Sequence, residues 1–273
     1  MTALHPGDDA FSSAIPQIYD EHFVPMIFEP YARDLVDRVL VRAPTRVLEL
    51  AAGTGVVTRH LAARLPAQVP IVATDLNQAM LDRAAAVGTT RPVEWRRADA
   101  MALPFDAAAF DLVVCQFGVM FFPDKPRAYA EVRRVLRPGG TFLFNAWDSL
   151  ADNDVTRAVM EALAEIFPDS PPTFMNRIPH GYHDHAAIVR DLNAGGFTLP
   201  AQLVTVAATT RAPSAAIAAL ALCQGTPMSH EIQARDPRGL GPTTQAVRER
   251  LERRYGAGPV EGKMQAIVAT VTA

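Results

Sequence analysis

The chain has 273 residues, and its 26 basic and 29 acidic side chains give it a formal charge of −3. Affinity for nucleic acid depends on clustered Lys and Arg side chains that contact phosphates, so this charge argues against a nucleic acid partner. Hydrophobic residues make up 49% of the sequence and charged residues 20%, which favours a packed core over a disordered chain.

Helix and strand patterns alternate along the first half of the chain. Apolar residues at helical spacing predict a helix from Tyr31 to Val41, which ends before Pro44. Short apolar runs predict strands at residues 46–50, 71–75, 112–116 and 141–146. Val93 and Trp95 alternate with Glu94 and Arg96, which predicts a third strand ending near Asp99. Intervening helices are predicted around residues 57–65, 80–87 and 129–136, the last being stopped by Pro138-Gly139-Gly140. This order, without hairpin signals, is typical of a parallel sheet covered by helices on both faces.

In the second half of the chain, predicted strands and helices no longer alternate regularly. Helices are predicted around residues 155–167, 186–192, 214–223 and 244–255, strands at 203–209 and 264–271, and a proline-rich loop at 168–179. We expect the last two strands to extend the sheet, giving a single α/β domain with seven mostly parallel strands. Its expected parts are N-terminal helices and core at 1–148, an insertion at 149–181, core at 182–211, a second insertion at 212–258 and a closing strand at 259–273.

The two helical insertions are predicted to form a lid. In an open α/β sheet, ligands bind outside the carboxyl ends of the strands. The first insertion directly follows the carboxyl end of a predicted strand, so we expect both insertions to meet over that crevice. Packing of either insertion on the opposite edge of the sheet would contradict this hypothesis.

Cysteine usage and apolar run length bear on where the protein works. Cys115 and Cys223 both lie in apolar surroundings, which predicts buried, reduced thiols in a cytoplasmic protein. Residues 1–14 carry two Asp residues and no long apolar run, so we expect no signal peptide. The longest nearly apolar stretch, residues 112–123, is too short to span a bilayer.

A glycine turn follows the first predicted strand. Gly53 and Gly55 lack Cβ atoms, so the backbone can turn sharply there and approach a ligand closely. Asp75 ends the next strand twenty residues after Gly55, where a carboxylate can accept both hydroxyls of a ribose. Together they predict a site for a nucleoside-containing cofactor; the alternative is a plain βα turn beside a solvated Asp75.

The residues around this turn distinguish between two such cofactors. A dinucleotide fingerprint needs a third glycine for close packing of helix and strand, and Thr58 stands in its place. Ala51 stands where the glycine before the pair would be, and Glu49 adds a negative charge at the end of the strand. A carboxylate there suits the cationic ammonium and sulfonium groups of S-adenosylmethionine better than it suits NAD.

Five motifs in order resemble those of class I S-adenosylmethionine-dependent methyltransferases. They are residues 49–55, residues 73–76 with Met80-Leu81, residues 98–100 with 103–105, residues 110–116, and residues 131–140. The resemblance covers about residues 15 to 147 and is strongest to the ubiquinone/menaquinone-biosynthesis-like branch, which acts on small molecules. It implies a Rossmann-like fold and S-adenosylmethionine as the cofactor.

The resemblance also implies a set of cofactor-binding residues: Tyr19, Glu49, Ala51, Gly53, Gly55, Asp75, Leu76, Met80, Asp99, Ala100, Gln116 and Phe117. Glu49 and the backbone of Ala51 and Gly53 would line the methionine part of the cofactor. Asp75 would bind the ribose hydroxyls, and Leu76 would pack on the adenine. Ala51 departs from the more usual glycine of the family, which is a common variant.

The remaining implied roles concern the adenine and the transferred methyl group. Asp99 would accept a hydrogen bond from the adenine amino group, and the Ala100 N–H would meet a ring nitrogen. Gln116 and Phe117 would lie beside the amino end of the methionine and the methyl group. Tyr19 matches an N-terminal tyrosine that often covers the cofactor in this family.

A methyltransferase sequence need not show a catalytic residue. A sulfonium is already a good leaving group, and in-line displacement mainly requires a well-placed nucleophile, which can contribute about 7–11 kcal/mol. A base is needed only if the nucleophile keeps its proton. The candidate bases are His180, His183 and His22. The alternative for the cluster at 180–185 is that Asp184 caps a helix and the histidines lie on a surface loop; its spacing does not fit a metal site.

The apolar residues after the fourth strand and in the first insertion indicate where an acceptor would bind. Aromatic stripes more often form core than pocket, yet Phe121 follows the carboxyl end of a strand and Phe174 lies in the predicted lid. We therefore expect both to line a largely apolar acceptor pocket.

The sequence thus predicts an enzyme that moves a methyl group from S-adenosylmethionine to a small organic acceptor. The alternatives are a nicotinamide-dependent oxidoreductase, or an S-adenosylmethionine-binding protein that is non-catalytic or repurposed. We expect a cytoplasmic monomer or homodimer without bound metal, nucleic acid partner or membrane span.

Overall fold

The computed structural model describes residues 7–8, 11 and 15–273. The expectation about a signal peptide in residues 1–14 therefore falls largely outside the described residues. The chain divides into two compact units. The sheet unit comprises Pro30–Trp147, Tyr182–Val206 and Ala266–Ala273, and the helical unit comprises Asp148–Gly181, Ala207–Gln265 and the described part of Met1–Glu29.

One seven-stranded sheet organises the fold. Its strands are β1 (Val47–Leu50), β2 (Ile71–Asp75), β3 (Glu94–Arg97), β4 (Phe110–Gln116), β5 (Leu136–Trp147), β6 (Gln202–Ala212) and β7 (Val260–Thr272), in the order β3-β2-β1-β4-β5-β7-β6. The pairs among β1 to β5 are parallel, and β7 pairs with β5 in the antiparallel direction. The predicted Rossmann-like α/β sheet with seven mostly parallel strands is confirmed, including its extension by the last two strands.

Burial explains why the central strands appear in the sequence as continuous apolar runs. Every residue of β1 and of β2 is buried, including the polar residues at their carboxyl ends. Strands of a parallel sheet are covered on both faces, so they lack the alternation of apolar and polar residues that a half-exposed strand shows. By contrast, β3 at one edge of the sheet is largely exposed, and β6 at the other edge buries two of its eleven residues.

Helices of the sheet unit connect these strands. They are α2 (Glu29–Val41), α3 (Val56–Arg64), α4 (Gln78–Val87), α5 (Lys125–Val135) and α8 (His185–Ala194). The Asp124 side chain caps α5 by accepting a hydrogen bond from the Arg127 N–H at 3.0 Å, and Tyr129, Val132 and Val135 form its buried face. Side chains three and four residues apart lie on one side of a helix, so this face packs against the sheet unit's core.

The beginning of β5 differs from the prediction. The sequence 138–140 predicts a turn before a strand at 141, whereas β5 already begins at Leu136. Phe110 pairs with Leu136, but Leu112 pairs with Thr141, so the register shifts across the Pro-Gly-Gly sequence. Gly139 has a φ of +79°, a conformation that glycine adopts without the penalty a Cβ brings. The turn-forming residues therefore make a bulge within the strand.

The helical unit contains the two predicted insertions and the described N-terminal residues. Its helices are α1 (Ile15–Ile18), a π-helical segment (Tyr19–Phe28), α6 (Asp154–Ile166), α7 (Phe174–Arg177), α9 (Ala215–Gln224), α10 (Met228–Gln233) and α11 (Leu240–Tyr255). Helix α11 packs against α9 and α6, and α6 buries Val155, Val159 and Leu163 at the predicted spacing of four. Two short helices correct the prediction: α7 lies in the expected proline-rich loop, and α10 was not predicted.

Cys115 and Cys223 are both buried free thiols, as predicted. Burial raises the pKa of each thiol above its usual value. Within the described ranges, no helix is long and apolar enough to cross a membrane.

Candidate cofactor-binding site

The candidate site lies in the sheet unit, where the glycine turn leaves the carboxyl end of β1. Ala51, Gly53 and Gly55 all have positive φ angles, of 51°, 56° and 85°. Ala52 donates its N–H to the carbonyl oxygen of Thr74 at 2.9 Å, which ties the turn to β2. An alanine in the left-handed region is sterically disfavoured, and such strain is typical of ligand-binding turns.

Asp75 fastens the glycine turn to the end of β2. Its Oδ2 accepts the Gly53 N–H at 2.8 Å, and its Oδ1 accepts the Asn77 N–H at 2.8 Å. The side chain is buried, so the alternative of a solvated Asp75 beside a plain turn is wrong. Burial raises its pKa, while these backbone hydrogen bonds oppose that rise. Each carboxylate oxygen has a second acceptor position, which leaves both able to accept a further hydrogen bond.

Glu49 is a second buried carboxyl group at this end of the sheet. Its side chain is 1% exposed, and Oε2 accepts a hydrogen bond from the Thr58 hydroxyl at 2.6 Å. Burial raises its pKa to about 8, and the Thr58 hydroxyl and the charge of Arg59 act in the opposite direction. The site therefore holds an acid whose ionisation a nearby cation would favour.

Two apolar side chains of the predicted set differ in exposure. Leu76, next to Asp75, is 44% exposed. Met80 is buried, and its Cε lies 3.9 Å from the place that a Cβ on Gly53 would occupy. Leu76 is thus available to contact a ligand, whereas Met80 supports the glycine turn.

The loop after β3 holds the two residues predicted for the adenine. Asp99 Oδ1 accepts the Met101 N–H at 2.8 Å, and Asp99 forms an isolated bridge with Ala102. Both Asp99 and Ala100 are partly exposed. The Ala98 N–H donates to the carbonyl oxygen of Asp75 at 3.0 Å, so this loop starts beside the end of β2.

The carboxyl end of β4 also lies beside the glycine turn. A Cβ on Gly118 would collide with the Cβ of Ala51, which shows how closely the two segments approach. Phe117 has a φ of +48°, and its ring stacks on Trp147 at 3.8 Å between centroids. The Phe117 N–H donates to Asn145 Oδ1 at 2.8 Å. Asn145 was not predicted, although it is the one polar residue in the apolar run of β5 from 142 to 147.

Three buried polar atoms in this region have no hydrogen-bond partner among the described residues: Thr54 Oγ1, Gln116 Oε1 and Asn145 Nδ2. Thr54 lies in the glycine turn, and Gln116 aligns with Asn145 across β4 and β5. Buried polar atoms normally have hydrogen-bond partners, and a buried polar atom without one destabilises the fold unless a ligand or water supplies the bond. These atoms, the spare acceptor positions of Asp75 and the Glu49 carboxyl group fit a polar, nucleoside-containing cation.

The other predicted site residues are divided between the two units. Tyr19, His22, Phe174 and His180 belong to the helical unit, and Phe121 and His183 to the sheet unit. Tyr19 stacks on Phe28 with a centroid distance of 5.1 Å, His22 is partly exposed, and Phe174 is buried. Phe121 is partly exposed at the end of the short 3₁₀ turn after β4.

The histidine cluster is only partly as predicted. Asp184 caps α8 by accepting the Ala186 N–H at 2.9 Å, and His183 is exposed. The surface-loop interpretation is wrong for His180, which is buried with Nδ1 2.8 Å from the carbonyl oxygen of Asp148. Because a carbonyl oxygen only accepts, His180 donates from Nδ1.

Comparison with known proteins identifies a domain within the chain. The family model described as a methyltransferase domain matches residues 48–144. This range contains the glycine turn, Asp75, the loop after β3 and the end of β4. The predicted class I S-adenosylmethionine-dependent methyltransferase domain is confirmed, and S-adenosylmethionine is the cofactor of that class.

Curated relatives match the same part of the chain. The demethylmenaquinone methyltransferase of Thermus thermophilus is 42% identical over 112 residues, which are 40% of this chain and 50% of that protein. The ubiquinone/menaquinone biosynthesis C-methyltransferase UbiE of Idiomarina loihiensis is 37% identical over 117 residues, which are 41% of this chain and 47% of that protein. The chain therefore spans about half the length of the curated relatives it matches.

Similarity in three dimensions extends further than similarity in sequence. The crystal structure of the YcgJ protein of Bacillus subtilis matches 89% of this chain and 98% of its own, with a TM-score of 0.58 and 17% identity. At this identity, the comparison establishes a shared fold.

Proposed function

We propose, from the premise that residues 48–144 form a class I S-adenosylmethionine-dependent methyltransferase domain, that the protein transfers a methyl group to a small organic acceptor. The observation that carries this proposal is the glycine turn bound to Asp75, with the buried Glu49 carboxyl group beside it. When bound, S-adenosylmethionine supplies a methyl group activated by the sulfonium to which it is attached.

The residues of the sheet unit bind and orient the reactants in this proposal. Asp75 receives the ribose hydroxyls through its spare acceptor positions, Leu76 packs on the adenine, and Asp99 and Ala100 recognise the edge of the adenine. Glu49, Ala51, Gly53 and Gly55 surround the methionine part, with Met80 beneath the turn and Gln116 and Phe117 at its far end. Support comes from the exposure of Leu76 and the partnerless Gln116 Oε1.

Holding a nucleophile in line with the methyl carbon is the main requirement for catalysis, because orientation alone can contribute about 7–11 kcal/mol. His180, His183 and His22 stay as candidate bases for an acceptor that keeps its proton. The lid expected from residues 149–181 and 212–258 stays a prediction, as do the roles expected of Tyr19, Phe121 and Phe174. Hydrogen exchange measured with and without S-adenosylmethionine tests the lid prediction.

A nicotinamide-dependent oxidoreductase fits the described residues less well. The position of the third glycine of a dinucleotide fingerprint holds Thr58, whose hydroxyl is committed to Glu49. The negatively charged pyrophosphate of a dinucleotide would oppose ionisation of the buried Glu49 carboxyl group, whereas a cation favours it. No observation on this chain favours that alternative.

Titration calorimetry with S-adenosylmethionine and with NAD tests the cofactor. We expect heat of binding with S-adenosylmethionine only. Incubation with S-adenosylmethionine and a panel of small phenols, quinols and amines, followed by mass spectrometry, tests transfer through the gain of one methyl group. Binding without transfer to any member would favour a non-catalytic or repurposed protein.

The acceptor class, location and assembly are proposals of the same kind. One curated relative is named for demethylmenaquinone and the other for ubiquinone/menaquinone biosynthesis, so we place quinols first in the acceptor panel. Two buried free thiols support a cytoplasmic location. We propose a monomer or a homodimer, and light scattering of the purified protein distinguishes between the two.

A further inference from the structure

Thr58 occupies a place in the site that the proposed function does not by itself explain. It lies in the first turn of α3 and is fully buried. Its hydroxyl donates to Glu49 Oε2 at 2.6 Å, a short distance typical of a hydrogen bond to a carboxylate. Packing between the helix and the strand does not by itself require a hydroxyl group directed at a buried carboxyl group.

The charges around Glu49 come from three neighbouring elements. Arg59, on α3, favours the carboxylate, and its Nη1 is held at 2.6 Å from the carbonyl oxygen of Thr54. Asp75, at the end of β2, opposes the carboxylate. Cys115, on β4, is a buried thiol whose own pKa is raised, so it stays neutral. Of these neighbours, Thr58 is the one whose hydroxyl is directed at the Glu49 carboxyl group.

We propose that Thr58 is a positioning residue, which holds the Glu49 carboxyl group in place and favours its charged form for a cationic group of the bound cofactor. This inference rests on the proposed binding of S-adenosylmethionine. Thr58 acts through Glu49 and need not contact the cofactor itself. The same side chain fills the position at which a dinucleotide site needs glycine, so one residue both supports the cation and disfavours NAD.

A purely structural Thr58 and a positioning Thr58 predict different pH dependence. Burial keeps Glu49 largely protonated in the free protein near neutral pH. A cationic ligand favours the carboxylate, so binding releases a proton and affinity increases with pH up to the pKa of Glu49 in the free protein. Removal of the Thr58 hydroxyl raises that pKa further, because a hydrogen bond that stabilises the charged form is lost.

The test compares the pH dependence of S-adenosylmethionine binding in the full chain and its variants. Thr58→Ser and Thr58→Ala form a matched pair that differs only in the hydroxyl, and Thr58→Val is nearly isosteric with the native residue. Calorimetric titrations from pH 6 to pH 9 give the dissociation constant and, from two buffers with different ionisation enthalpies, the protons released.

We expect Thr58→Ala and Thr58→Val to bind about tenfold more weakly at pH 7, with the midpoint of the pH profile about one unit higher. Thr58→Ser should keep the native midpoint. In Glu49→Gln, the pH dependence should disappear, and adding Thr58→Ala should weaken binding no further. Thermal unfolding confirms that each variant is folded, and the Ser and Ala pair provides the test even if the valine variant is unstable.

Two outcomes would overturn the inference in distinguishable ways. Binding by the native protein with the same pH midpoint in Thr58→Ala and Thr58→Ser would refute the role of Thr58 alone. Failure of the native protein to bind S-adenosylmethionine at any pH would remove the proposed function, and the role of Thr58 with it.

Discussion

Replacement of Asp75 by asparagine tests the proposed cofactor site most directly. The native carboxylate accepts the Gly53 N–H with one oxygen and the Asn77 N–H with the other, both at 2.8 Å. Asparagine has nearly the same shape but only one acceptor oxygen, and its amide nitrogen donates. One of the two backbone N–H groups therefore loses its partner and meets another donor.

The expected magnitudes follow from these two hydrogen bonds. A hydrogen bond to a charged group contributes about 1.5–3 kcal/mol, so Asp75→Asn should lower the free energy of unfolding by about that amount. Binding should suffer as well, because the ribose hydroxyls lose a charged acceptor and the glycine turn loses its anchor. We expect a loss of about 2–3 kcal/mol in binding, which corresponds to about a hundredfold higher dissociation constant for S-adenosylmethionine.

Calorimetric titration measures the dissociation constant, and urea unfolding measures the free energy of unfolding. Asp82→Asn is the matched control, because Asp82 is an exposed residue of α4 whose carboxylate accepts from Gln78 at 2.8 Å. The control should bind within about twofold of the native protein, since an exposed hydrogen bond contributes little. Native affinity in Asp75→Asn would refute the assignment of the ribose site.

Three further substitutions test the surrounding structure. In the native protein, the Glu49 side chain should lower the free energy of unfolding by on the order of 4 kcal/mol as the pH rises from about 4.5 to about 8. Over this range, Glu49 ionises in the unfolded chain but keeps its proton in the folded protein, where its pKa is raised to about 8. Glu49→Gln should flatten this fall in urea titrations at several pH values. Asn145→Leu should cost about 1–3 kcal/mol in urea unfolding by leaving the Phe117 N–H without its acceptor; an unchanged midpoint would contradict this. Arg177→Leu removes the bidentate partner of the buried Asp8 and should lower the free energy of unfolding by about 3 kcal/mol. Equal melting temperatures of the variant and the native protein would contradict this.

The sheet was predictable because each central strand is buried on both faces. That burial selects uninterrupted apolar runs such as residues 112–115, which stand out against the amphipathic spacing of α5. Helix α10 was missed because six residues contain less than two turns, too few for a period to be visible. The bulge at Gly139 was missed because proline and glycine indicate a break in regular structure, but not whether the strand resumes in the same ladder.

The site was predictable where its residues fall into a spaced pattern. Gly53 and Asp75 stand at the ends of adjacent strands, and the structure joins them by a hydrogen bond. Asn145 follows no such pattern. A single amide within an apolar strand can face solvent, a ligand or a backbone group, and only the fold shows that it accepts the Phe117 N–H. The sequence alone shows that Thr58 stands where a dinucleotide site has glycine. Its hydrogen bond to Glu49 could not be predicted, because it depends on how α3 packs against β1.

The two buried carboxyl groups of the site have different environments, and this difference bears on the charge of the ligand. Asp75 accepts two backbone N–H groups, which favour its charged form, whereas Glu49 accepts a hydrogen bond from the Thr58 hydroxyl. Two neighbouring carboxylates oppose each other's ionisation. Burial raises the pKa of both groups, but the backbone hydrogen bonds to Asp75 oppose that rise, so its charged form is the better supported of the two in the free protein. A cation that enters beside Glu49 favours loss of its proton, so the site gains negative charge in the state that holds a sulfonium and an ammonium group. A neutral or anionic nucleoside provides no such gain, and the pairing of these two acids thus favours the positively charged cofactor.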